Sequence, residues 1–125
     1  MPVIIDHVTL GVSDFEKTRQ FYDRVLPTLG LQCIWEKPSM AAYGIGRNDD
    51  FGLIGDVGSS RRGTHVAFRA PDRESVHSFH SEALAAGGQD NGAPGLRPEY
   101  HDTYYAAFVL DPEGNRIEAV CQDPA

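Results

Sequence analysis

The sequence predicts an α+β domain made of two similar halves, and two observations carry that prediction. The first is an internal echo. Ile5-Asp6-His7-Val8-Thr9-Leu10 opens the chain, and Thr64-His65-Val66-Ala67-Phe68 repeats it at an offset of 65 − 7 = 58 residues. At that one offset Asp14 falls on Asp72, Glu16 on Glu74, Phe21 on Phe79, Leu26 on Leu84 and Gly30 on Gly88. A gapless echo of this length marks a duplicated unit. The second observation is that each copy changes period in the same order, from alternation to helical spacing and back to alternation. The chain has 125 residues, so each half is too small to bury a core comfortably alone. One domain of two packed units follows, with module one spanning 1–57 and module two 61–125.

In the first unit, Val8, Leu10 and Val12 alternate with His7, Thr9 and Gly11, as in a strand with two unlike faces. Ser13-Asp14-Phe15-Glu16 spells a capping box, with Ser13 as cap and Glu16 reaching back. Phe15, Thr18, Tyr22, Val25 and Leu29 recur at helical spacing, and Pro27 should bend or end the last turn. Gly30 terminates the element. Leu31 to Lys37 alternates with Leu31, Cys33 and Trp35 on one face, Met40 to Ile45 is a further strand, and Phe51 to Ile54 a short one. Gly55 to Gly63 is polar and glycine-rich, and reads as the linker between units.

The second unit opens with the strand Thr64 to Ala70. Its helix starts at Asp72 as cap, carries Val76, Phe79, Ala83 and Leu84 as its apolar stripe, and stops at Gly87-Gly88. Asp90 to Pro98 is rich in Gly and Pro and should be a loop. Tyr104 to Leu110 is a strand, Asp111-Pro112-Glu113-Gly114-Asn115 a turn, and Arg116 to Cys121 the closing strand.

Composition narrows the function classes. Lys plus Arg is 11 against 18 for Asp plus Glu, a net charge of −7, which disfavours nucleic acid as partner. Cys33 and Cys121 lack zinc-type spacing and read as reduced core residues of a cytoplasmic protein. Neither a leader nor a membrane span is expected. P-loop, dinucleotide-binding and G-x-S-x-G signatures are absent from the sequence.

The repeated histidine strand, together with Phe108-Val109-Leu110-Asp111-Pro112-Glu113-Gly114-Asn115-Arg116-Ile117-Glu118, resembles the vicinal oxygen chelate superfamily. That group includes glyoxalase I, extradiol dioxygenases, fosfomycin-resistance proteins and bleomycin-resistance proteins. The resemblance implies two βαβββ modules in tandem, whose strands form a curved, open mixed β-sheet barrel with helices outside. It also implies a divalent transition metal (Fe, Mn, Zn or Ni), a small-molecule substrate that chelates through adjacent oxygens, and a homodimer. Carried over by position, the metal ligands are His7, His65 and Glu118. A fourth ligand would lie in Phe51-Gly52-Leu53-Ile54, where no side chain can bind metal. Independently of the family, two imidazoles and a carboxylate with open positions suit such a metal.

The cluster Tyr100-His101-Asp102-Thr103-Tyr104-Tyr105 either fills the core or rims the cleft. In the second case His101, Tyr104 and Tyr105 are the catalytic candidates. Thr9, Trp35, Tyr43, Arg47 and Tyr100 are candidates for the substrate pocket. His77 and His80, three apart on the second helix, read as a solvated helix edge. Two functions compete: a small metal-dependent enzyme, or a metal-free protein that sequesters a ligand, for which the acidic surface would suit a cation.

Overall fold

The computed structural model describes residues 5–55 and 64–124, so residues 56–63 of the expected linker lie outside the described residues. The first unit runs β1 (Val8–Val12), α1 (Phe15–Val25), a 3₁₀ turn (Leu26–Leu29), β2 (Gln32–Lys37), β3 (Met40–Ile45) and β4 (Asn48–Gly55). The second runs β5 (His65–Arg69), α2 (Arg73–Ala85), β6 (Gln89–Leu96), β7 (Tyr105–Leu110) and β8 (Arg116–Cys121). The sheets have the same order, β1-β4-β3-β2 and β5-β8-β7-β6, with β1 parallel to β4 and β5 parallel to β8. This is the tandem βαβββ architecture, with two mixed four-stranded sheets that do not close on each other.

Each sheet buries one face against the helices. Leu10, Val12, Phe51 and Leu53 join Phe68, Val109, Ile117 and Ala119 in one core with Phe21, Tyr22, Val76 and Phe79 from the helices. The core crosses the boundary between modules: Tyr22 meets Phe51 with ring centroids 5.0 Å apart, and Phe51 meets Phe68 at 5.1 Å. Such pairs add about 0.5–1.5 kcal/mol beyond area burial. Gly88 permits another close approach, since a Cβ there would lie 2.8 Å from Phe21 Cε1.

The family-like turn Asp111–Asn115 does structural work between the modules. The buried Asp111 carboxylate accepts from Tyr22 Oη at 2.6 Å, Asn115 Nδ2 at 2.9 Å, and the backbone N–H groups of Glu113 and Asn115, both at 2.9 Å. Glu113 meanwhile accepts from the backbone N–H of Ser13 at 2.9 Å and of Asp14 at 3.1 Å, and from the Ser13 hydroxyl. A carboxylate at the N-terminus of α1 is favoured by the unpaired N–H groups there. This explains one departure from expectation. Ser13 is drawn away to Glu113, and Asp14 caps α1 by accepting from Lys17 N. Asp14 and Asp72 are therefore both caps, as their offset of 58 implies.

Three other expectations change. The glycine- and proline-rich stretch from Asp90 forms β6, an edge strand, where Pro94 is tolerated and register shifts around Gly92 absorb the irregular backbone. β4 spans eight residues, not four. Cys33 is exposed because β2 is an edge strand that is little covered along its length, and a register shift between Cys33 and Trp35 also breaks its alternation. Cys33 therefore pairs with Tyr43 and Trp35 with Ala42, on opposite faces. Helix α1 stops at Val25, and Pro27 sits within the following 3₁₀ turn, as its missing N–H requires.

Candidate functional site

The sheet face turned away from the helices carries the chemistry. In module two, Ala67 on β5 is the cross-strand partner of Glu118 on β8, which pairs with Phe108 on β7. Cross-strand partners share a face, and His65 lies two residues before Ala67 on that same face. Glu118 is only 1% exposed. A carboxylate so placed needs partners, and it has two. His65 Nε2 lies 2.8 Å from Glu118 Oε1, and the Tyr104 hydroxyl donates to Glu118 Oε2. Burial, with Glu118 adding to it, pushes the Tyr104 phenol up to about 12. Tyr104 therefore remains a proton donor at neutral pH.

Module one offers a different set. His7 precedes β1 and shares a cavity of about 260 Å³ with Thr9, Trp35, Asp49 and Gly52. Its Nδ1 lies 2.8 Å from Asp6 Oδ1, and that hydrogen bond raises the His7 pKa. Trp35 Nε1 donates to Asp49 at 2.9 Å, which holds the Asp49 carboxyl below its ordinary range. Thr9 pairs with Gly52, and Gly52 with Ala42, along this face.

The registers identify the position that corresponds to Glu118. Val8 pairs with Phe51 and Val66 with Ile117, so Glu118 of β8 matches Gly52 of β4. A Cβ at Gly52 would stand 3.2 Å from Thr9 Oγ1. Module one thus keeps the histidine and replaces the carboxylate with hydrogen.

His65, Glu118 and Tyr104 come together, with the 63% exposed Tyr100 edge-on to Tyr104 at 5.1 Å between ring centroids. His101 is exposed in the preceding turn, its Nδ1 3.2 Å from Thr103 Oγ1. Two candidates lie elsewhere. Tyr105 faces α2, its hydroxyl 2.5 Å from His77 Nε2 and its ring under the Arg73 guanidinium. Its neighbour Tyr104 points to the opposite face, as period two demands. Tyr43 is in the core and donates to Asp23 at 2.7 Å on the helix side of β3. Arg47 is exposed in the β3–β4 turn. His77 and His80 do not face each other over a shared ligand, since His80 pairs with Asp90 at 2.9 Å.

The residues of module two fit a divalent metal in part. Two ligand atoms bound at right angles at about 2.1 Å stand about 3 Å apart, close to the 2.8 Å between His65 Nε2 and Glu118 Oε1. Among the described residues of one chain, however, no three His, Cys, Asp or Glu side chains gather as a metal site. His7 belongs to the cavity of module one. The sequence assigns no site role to Arg97, Phe108 or Asp49. Gly52 lies in the stretch where a fourth ligand is expected, and the strand registers single it out as the counterpart of Glu118.

Comparison with known proteins agrees with this architecture. The Glyoxalase/Bleomycin resistance protein/Dioxygenase superfamily model matches residues 4–119. A glyoxalase/bleomycin resistance protein from Albidiferax ferrireducens T118 is 31% identical, with a TM-score of 0.82 over 93% of this chain and 97% of its own. A glyoxalase-related enzyme from Fulvimarina pelagi is 22% identical, with a TM-score of 0.73 over 94% of this chain and 87% of its own. Glyoxalase I from Zea mays, as its E144Q mutant, is 22% identical, with a TM-score of 0.69 over 93% of this chain and 46% of its own. No curated protein matches the chain. With its repeated histidine strand, its tandem βαβββ modules and a family match over nearly its whole length, the chain belongs to the glyoxalase/bleomycin resistance/dioxygenase group of the vicinal oxygen chelate superfamily.

Proposed function

We propose that the protein is a small metal-dependent enzyme acting on a substrate that chelates through adjacent oxygens. The observation that carries this reading is the buried Glu118 carboxylate held between His65 and Tyr104 on an otherwise open sheet face. A carboxylate kept this dry serves a purely structural role poorly, because its desolvation needs compensation. His65 and Glu118 would hold the ion, with His7 of a second copy as third ligand in a two-fold dimer. When bound, the metal supplies Lewis-acid polarisation of substrate oxygen. Tyr104 keeps Glu118 oriented and holds a proton beside the site at neutral pH. His101, in the turn before Tyr104, is the exposed candidate for proton exchange with solvent.

The competing reading is a metal-free sequestering protein, and what favours it is that, among the described residues of one chain, only two ligands come together. Elemental analysis of protein purified without added metal or affinity tag separates the readings. Near-stoichiometric transition metal in the wild type, lost in Glu118→Ala and His65→Ala, supports the enzyme. Calorimetric metal titration with no saturable site in the wild type overturns it.

A further inference from the structure

Arg97 sits immediately after β6, and its side chain is half-buried on the same sheet face as Glu118. Its guanidinium carbon lies 5.3 Å over the Phe108 ring. Phe108 is the cross-strand partner of Glu118, and its ring centroid is 6.2 Å from that of His65. Two glycines make room for the guanidinium. A Cβ at Gly95 would stand 3.1 Å from Arg97 Nη1, and one at Gly92 would stand 3.3 Å from Nη2 and 2.9 Å from Phe108 Cδ1. The backbone is pinned as well: Arg97 N donates to Tyr104 O at 2.8 Å, and Tyr100 N donates to Arg97 O at 3.0 Å.

The remaining fact is electrostatic. Arg97 Nη2 donates to Ala93 O at 2.7 Å, but among the described residues no carboxylate pairs with it. By contrast, Arg19 pairs with Asp23 and Glu36, and Arg24 with Glu82. In a chain with 18 acidic residues and 11 basic ones, a half-buried arginine without an acid, stacked and preoriented beside the candidate centre, is positioned for an external anion. Arg116, the cross-strand partner of His65, and Arg69 add positive charge to this face, while the buried Glu118 carboxylate is already bonded to His65 and Tyr104. These arginines set a cluster of positive charge on this face of a chain whose net charge is −7, and an anionic group suits that cluster better than the cationic ligand that the acidic composition suggests for a sequestering protein.

We propose that Arg97 anchors an oxyanion of the substrate, a carboxylate or a phosphoryl group, next to the chelating end that His65 and Glu118 serve. This rests on the reading of the site given above for the chelating end, but the anion site itself is tested without metal. In metal-free protein, the Arg97 Nε–Hε resonance is followed by NMR during titration with benzoate, inorganic phosphate and the neutral isostere benzamide. Amides of Gly95 and Phe108 report binding in variants. Saturable shifts are expected with at least one oxyanion. Arg97→Gln should weaken that oxyanion about tenfold or more and leave benzamide within about twofold. Arg97→Lys, which keeps the charge but loses the planar fork, should retain phosphate better than benzoate. Tighter benzoate assigns a carboxylate, and tighter phosphate a phosphoryl group. The proposal is overturned if neither oxyanion saturates, if benzamide binds as tightly as the tighter of the two oxyanions, or if Arg97→Gln leaves that oxyanion's affinity unchanged. Metal uptake, measured separately, reads His65 and Glu118 alone, so loss of one result without the other shows which assignment has failed.

Discussion

Mixing two metal-dead variants should restore about a quarter of wild-type metal uptake. In the proposed two-fold dimer each site takes His65 and Glu118 from one copy and His7 from the other. In a mixed dimer of His7→Ala and Glu118→Ala, one site receives an intact His7 and an intact His65–Glu118 pair, and the other receives both lesions. Random reassortment of equal amounts makes half of the dimers mixed, so about 1/2 × 1/2, or one quarter, of all sites are whole. The separation of His7 from the His65–Glu118 pair within one chain motivates the test. The variants are combined, exchanged through mild denaturant, freed of excess ion by gel filtration and analysed for metal. A mixture of His65→Ala and Glu118→Ala is the control, because every mixed site then carries a broken half, and it should stay empty. Wild type that loads metal while the first mixture stays empty refutes the shared site, as does recovery in the control.

Asp111→Asn should destabilise the protein by about 2–4 kcal/mol, because an amide cannot accept the four bonds that meet there, and it brings donors toward the Tyr22 hydroxyl and Asn115. Chemical denaturation checks it, and a loss below 1 kcal/mol would count against the clamp. Gly52→Glu should tighten metal binding by supplying the carboxylate missing from module one. It needs only a small displacement of Thr9 Oγ1, and calorimetry on the variant shows whether affinity rises. Tyr104 has a folded pKa raised to about 12, so its contribution to stability is fully present below its ordinary value near 10 and is lost as pH rises through the folded value. Tyr104→Phe should remove the tyrosinate step near 12 in ultraviolet titration, which lies below those of the more strongly shifted Tyr22 and Tyr43, and flatten that part of the stability profile. An unchanged titration curve would place the raised value elsewhere.

The duplication was legible because it rests on local periodicity: alternation and helical spacing depend only on where side chains point along one element. The offset of 58 pairs Asp14 with the cap Asp72, although the local capping-box pattern points to Ser13, an equally good cap by residue type. Ser13 lost that role to Glu113, 100 residues away, which no local pattern can foresee. β6 hid behind its glycines and Pro94, because an edge strand tolerates both and its pairing partner β7 supplies the missing propensity. In the site, His65 and Glu118 were named from the repeat and the family motif, but their 2.8 Å approach is a matter of register between β5 and β8. Tyr104 and Tyr105, indistinguishable as neighbours in an aromatic cluster, were separated by strand phase, one bonded to Glu118 and the other to His77. Arg97 carried no sequence signal at all. A charged residue after a glycine-rich strand looks like surface until the folded sheet lays it over Phe108, since stacking and the lack of a counter-charge are properties of the space around a residue and not of its neighbours in the chain.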